Sequence, residues 1–258
     1  MLGIISAGLN GLRSYMTKMD QVANNIANVS TVGFKKGVAE LTDLAYQPLT
    51  YQDPYGPGAT QSPIGSGARV GAVKKDLSPG PPVQTGRALD LYIDGDGFFE
   101  VLLPSGQRAY TRDGSFSIDS QGHLVNAQGL RISSSVELRG ANLEEVRVSP
   151  EGIVTASDAA GNEQVLGEIF LFLADNPLGM LSIGNNLYQL TLASGAARQA
   201  TPGVNNAGVF RQRFLEGSNV NLVQEIPEII TALRAHQLNT KTIQLADEMW
   251  ALANNLRR

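Results

Sequence analysis

Chemistry in a protein needs a nucleophile, a base or a metal cage, and this sequence offers few residues for any of them. Its only histidines, His123 and His236, stand in a β-type run beside a turn and on a helical seam, and it has no cysteine. A histidine metal site would have to borrow carboxylates from distant elements. The densest acidic cluster is Asp94-Gly95-Asp96-Gly97 with Glu100. EF-hand spacing fails there and no helix flanks it, so it reads as a glycine hairpin turn carrying solvated acids. Gly95-x-Gly97 is no dinucleotide fingerprint, because a strand pattern follows where a helix should begin. Lys35-Lys36 could meet a phosphate, but without interleaved aromatics it reads as a solvated or inter-subunit charge pair. This inventory carries no catalytic group, no metal and no cofactor.

The elements that would position such residues tell more. A chain of 258 residues can bury a substantial core, and 28 Gly, 12 Pro and 17% charged residues point to turn-rich structure. The net charge of −4 gives no sign of a nucleic-acid partner. The absence of cysteine fits a protein that crosses or works in an oxidising compartment. Met1 leads straight into an amphipathic pattern, so no secretory signal is expected. No run approaches the roughly 18 apolar residues of a membrane span.

Leu2, Ile5, Leu9, Leu12, Met16, Met19, Ala23 and Ile26 alternate at spacings of three and four, which gathers them into one a/d seam of a helix. Gly3, Gly8 and Gly11 each cost such a helix about 1 kcal/mol relative to Ala. The segment is therefore expected to order only when its seam is covered, which makes assembly the first functional hypothesis. The helix should fade near Asn24, Asn25 and Asn28, with Gly33 available for a positive φ before Phe34.

From about residue 40 to 86, seven of the 12 prolines cluster with glycines. Neither a helix nor a central strand tolerates that spacing of breakers, so the stretch reads as a linker or an extended arm. Tyr46, Tyr51 and Tyr55 favour a packed contact arm over a solvated tether. From residue 87 to about 215, short β-type runs alternate with Asp-Gly and Gln-Gly turns, and Gly167 to Leu173 reads as one strand buried on both faces.

Helical spacing returns after the caps Ser218 to Asn221, with Asn221 and Gln224 as a capping-box pair. One seam runs Leu222, Ile226, Ile229, Leu233, His236, Thr240, Ile243, Asp247, Trp250, and a second runs Leu238, Leu245, Met249, Leu252, Leu256. Two apolar stripes imply burial on more than one side. Pro227 either lies near the helix start or kinks it. The fold class is α+β: a discontinuous terminal-helix coiled-coil domain (1–36 with 217–258) and an all-β domain (87–216), joined by an extended Pro/Gly-rich arm (37–86).

Three blocks then carry a resemblance. Asn24 to Lys35, including Asn25, Asn28, Gly33 and Phe34, resembles the N-terminal signature of the bacterial flagellar rod and hook family. Gly95, Gly97, Phe98 and Phe99, followed by Tyr110, Thr111, Arg112, Gly114 and Phe116, resemble its β-domain, and Ser218, Asn219 and Val220 its C-terminal motif. Length and the arm after Tyr46 are most similar to the distal-rod members. Pro227 and His236 depart from the family's usual helix formers and aromatic.

This resemblance implies paired terminal helices inside and a β-rich domain outside, with the chain crossing between them both ways. It also implies a subunit that stacks on copies of itself into the hollow rod between motor and hook. The implied partners are proximal rod and hook proteins, the periplasmic and outer-membrane rings, and the flagellar type III export machinery. A proximal rod protein, a secreted coiled-coil and β adhesin, and a peptidoglycan-processing enzyme are the alternatives.

Overall fold

The computed structural model describes residues 2–52, 59–134, 136, 138, 146–157, 163–204 and 206–256. Contacts divide the chain into two units, Met1–Ala27 with Gly37–Lys75 and Asn221–Arg258, and Asn28–Lys36 with Asp76–Val220.

The first unit is built on α1 (Leu2–Ala27) and α2 (Leu222–Asn255). They pair antiparallel, since the neighbours Gly8 and Ile243, Gly11 and Asn239, Lys18 and Glu228, and Asn25 and Glu225 ascend one helix while descending the other. Asn221 caps α2 by accepting the Val223 N–H at 3.0 Å. It is Val223, and not Gln224, that the cap side chain engages. Pro227 lies inside α2, just past its first turn. Its missing N–H removes one i→i−4 bond there, and the helix continues to Asn255.

The proline-rich arm differs from its expectation. Residues 37–75 form β1 (Gly37–Asp43), β2 (Gln47–Gln52), β3 (Ala59–Ile64) and β4 (Ala68–Lys75). β1 pairs antiparallel with β4, and β2 with β3. The Leu44 N–H to Gly67 O bond (2.9 Å) and the Ser66 hydroxyl to Ala45 O bond (2.9 Å) carry one ribbon into the other. Prolines exclude a central strand, but both strands of a two-stranded ribbon are edges, where proline is tolerated. Pro48 and Pro63 even stand directly opposite each other. The ribbon's base lies along α1: Ser14 donates to Ala68 O (2.8 Å), and Asn10 to Ser66 O (3.2 Å).

The second unit holds β5 (Pro82–Gln84), β6 (Leu91–Asp94), β7 (Phe99–Leu102), β8 (Arg108–Thr111), β9 (Ser117–Ile118), β10 (Leu124–Val125) and β11 (Arg131–Ile132). It continues through β12 (Arg147–Val148), β13 (Ile153–Ser157), β14 (Glu163–Glu168), β15 (Leu171–Ala174), β16 (Leu181–Gly184), β17 (Leu187–Gln189), β18 (Ala197–Ala200), β19 (Val209–Gln212) and β20 (Phe214–Glu216). The largest sheet runs β16-β17-β8-β7-β11-β10-β9. Its core centres on Phe99, which meets Phe116 edge-on at 4.9 Å and stacks on Phe210 at 5.6 Å. A second cluster holds Phe98, Tyr110, Phe172 and Tyr188.

Two sequence expectations are corrected in this unit. Residues 94–97 do not close a hairpin: β6 pairs with β19, whereas β7 pairs with β8 and β11, so Gly95 and Gly97, both at positive φ, turn the chain from one sheet into another. The Gly167–Leu173 run is two strands. β14 ends at Glu168 after a register shift opposite Gly167, and β15 begins at Leu171. Leu171 and Phe172 are nevertheless both buried, one in each cluster.

Candidate assembly surface

The contact between α1 and α2 sets small and polar residues beside the isoleucines of α2. On α1, Gly8, Val22 and Asn25 are buried, and a Cβ added at Gly8 would lie 3.1 Å from Ile243 Cγ1, whereas the buried Ser14 meets the ribbon at Ala68. On α2, the buried or half-buried positions Glu225, Ile229, Ala232, His236, Asn239, Ile243 and Ala246 alternate at four and three, a heptad stripe of its own. Glycine and alanine at such positions let two helix backbones approach closely.

The bulky seam expected on α1 lies beside that contact, one position on. Leu9 (40%) and Met16 (52%) are exposed, while Ile5, Leu12, Met19 and Ile26 are half-buried. Leu2 opens α1. On α2, Ile229 and Ile243 share the α1-facing stripe, whereas Leu222, Ile226, Leu233 and Trp250 are exposed, as is the second stripe from Leu238 to Leu256. The first unit thus carries two classes of helix surface: a narrow intramolecular stripe and broad uncovered apolar ones. In the arm, Tyr46 is exposed and Tyr51 lies in β2, while Tyr55 is outside the described residues.

The motif residues of the second unit build a buried ionic knot. Gly33 has φ +66°, and its missing Cβ would fall 2.9 Å from Asp113 N, so only glycine fits this turn. The turn sends Lys35 inward. Lys35 and Glu216, each 1% exposed, form an ion pair, which corrects the reading of Lys35 as a solvated or inter-subunit charge. Lys35 also donates to Ser78 O (2.7 Å), and the Glu216 carboxylate accepts the Gly80 N–H (2.9 Å). Arg112 Nη1 lies 3.7 Å from Glu216 Oε2 and donates to Gly95 O (2.9 Å), with its guanidinium 5.1 Å from the centre of the Phe98 ring. Asn219 accepts the Lys36 N–H (2.8 Å) and donates to Asp76 O (2.9 Å).

Burial dominates the electrostatics of this knot. It lowers the Lys35 ammonium below its ordinary pKa, although Glu216 pulls the other way, and it lowers Arg112 likewise. Tyr188 is pushed up to about 12 by burial, with the Glu216 charge adding to the effect. Tyr110, which donates to Glu100 at 3.1 Å, rises to about 12 for the same two kinds of reason. Such a constellation holds chain segments in place.

Family comparisons now add to this geometry. The model described as flagella basal body rod protein matches residues 5–35, that of the flagellar hook protein FlgE/F/G D1 domain matches 92–156, and that of the flagellar basal body rod FlgEFG protein C-terminal matches 211–256. The flagellar basal-body rod protein FlgG of Borreliella burgdorferi is 37% identical over 100% of both chains. The chain belongs to the flagellar basal-body rod family. Within this rod family, FlgG of Bacillus subtilis is 36% identical over 100% of both chains, and FlgG of Caulobacter vibrioides 37% over 96% of this chain and 97% of its own. The Borreliella hook protein FlgE is 33% identical over 72% of this chain but only 43% of its own length. The chain is thus a structural rod subunit of the distal, FlgG kind, and the three blocks read from the sequence fall inside the matched segments.

Sequence reasoning reaches Gly8 and Gly11 as positions where neighbouring helices can approach closely, but it misses the α2 side of the small-residue stripe and the ionic knot. Gly8 and Gly11, three apart, together with Ala232 and Ala246, two heptads apart, were the available signal for the first. For the knot there was none, because Lys35 and Glu216 lie 181 positions apart.

Proposed function

We propose that copies of this chain stack through their helices into an open, hollow rod that transmits torque from motor to hook and lets exported subunits pass. The observation that carries this reading is the apolar surface that α1 and α2 leave uncovered after pairing with each other, including Leu9, Met16, Leu233 and Trp250. Stripes on different faces of one helix pair suit heterologous contacts, in which one patch meets a different patch on the next copy and the series never closes. The self-assembly residues are then those of the bulky seams, with the small stripe kept for the chain's own pairing. Neighbouring rod and hook proteins and the surrounding rings are the partners this reading assigns, and the flagellar type III machinery is its export route.

Electron microscopy of the concentrated protein tests it. Straight tubes of variable length are expected. L9D with M16D should abolish them while the β unit keeps its melting transition. A closed oligomer of fixed size would overturn the proposal.

A further inference from the structure

The antiparallel helix pair faces a problem of its own composition. The contact alternates small residues, Gly8, Gly11, Ala232 and Ala246, with the larger Ile229, His236 and Ile243, so a heptad of slip keeps the stripe's spacing and changes only which side chain meets each small position. One competing register keeps an acid beside Lys18: moving α2 by a heptad exchanges Glu228, 3.4 Å from Lys18, for Glu225.

At the other end of the pair lies a junction that such a slip would break. Asn25 is 2% exposed and Glu225 4%. The Asn25 amide donates to Glu225 Oε2 (3.0 Å) and to Gly37 O (2.9 Å), and its oxygen accepts the Gly37 N–H (2.9 Å) and the Gln21 side-chain amide (3.2 Å). All four hydrogen-bonding positions of the asparagine are therefore used. Glu225 sits in the first turn of α2, where the helix dipole favours its charge. One side chain thus ties α1 to α2 and to the root of the ribbon at once.

We propose that the Asn25–Glu225 pair, anchored on Gly37, is the register lock of the α1–α2 pair. Asn25 lies near the end of α1 and Glu225 near the start of α2, so a slip in either direction carries one of them past its partner helix. Slipping then leaves one N–H of the Asn25 amide without its Glu225 acceptor, while Gly37 O keeps the other, and the penalty falls on the wrong registers alone. The lock is a property of the single chain and does not depend on polymer formation.

Because the chain has no cysteine, disulfide trapping reads the register directly. In the full chain, G8C/I243C reports the native register and G8C/H236C the slip that brings Glu225 to Lys18. The native pair should close at least about tenfold faster than the slipped pair, the order of ratio set by one unpaired buried polar group. In N25L/E225L the slipped pair should close at a rate comparable with the native one. N25A keeps Glu225 free to seek Lys18, should raise slipped closure as well, and decides the matter if the double variant loses its helices. Equal closure of both pairs in the parent chain, or unchanged selectivity in the variants, would overturn the assignment.

Discussion

Glu216 accepts from Gly80 and pairs with Lys35, so one carboxylate joins three stretches that are remote in sequence. Removing one partner of a buried pair leaves the other charge stranded, at a cost of about 3–5 kcal/mol. K35M and E216Q should each lower the stability of the β unit by that order in urea unfolding, and K35M/E216L should cost less than their sum. Additive losses would mean that the two groups act independently. Asp119 behaves oppositely, as a half-buried acid at the surface held by local bonds. It accepts the His123 N–H (2.9 Å) and the Gln121 N–H (2.8 Å), with Arg131 3.3 Å away, and its pKa falls to about 2, chiefly through the His123 bond. A carboxyl depressed in the folded state contributes stability above its unfolded value near 3.8, and loses it as pH falls through about 2. NMR titration of the 119–123 turn should show this low midpoint, and D119N should flatten the acid limb of the β unit's stability.

At the scale of elements, the ribbon supplies the sharpest test. Deleting residues 46–63 removes β2 and β3 but spares the pairing of β1 with β4 and its seat along α1. The chain should fold, with its monomer melting unchanged, yet give curved or fragile filaments on electron microscopy. Equally straight and rigid tubes would refute a stiffening role for the ribbon. The same elements show what the sequence made legible. Short strands between glycine turns and the cap at Asn221 are local signals, and both were readable. Seam assignment was less secure, because a search for bulky apolar residues finds the stripe with most surface to cover, whereas the closest intramolecular contact selects glycine and alanine beside it. The prolines misled for a related reason: they exclude a central strand and are silent about a ribbon that has only edges.

The two units differ as whole bodies in how much they bury. Among the described residues, Val22, Ala232 and Ala246 are the fully buried apolar side chains of the helical unit, whereas the β unit packs a continuous cluster from Leu91 to Phe210. Dilute protein should therefore melt in two steps, the helical signal first. On the proposed reading, assembly binds the folded helices and not the unfolded ones, so the first step should move up with protein concentration. At a hundredfold excess over the dissociation constant the gain is about 2.7 kcal/mol. A first transition indifferent to concentration would separate the helices from the polymer contact.

The facing prolines of the ribbon bear on a hazard of crowding many copies together. An opposed pair sacrifices no rung bond only where its N–H groups would have pointed outward. At the level of Pro48 and Pro63, a stray extended peptide would then find no amide to grip on either margin. A molecule proposed to stack on copies of itself through its helices is in this way discouraged from fusing through strands, and the amyloid route is made harder where the ribbon would otherwise invite it.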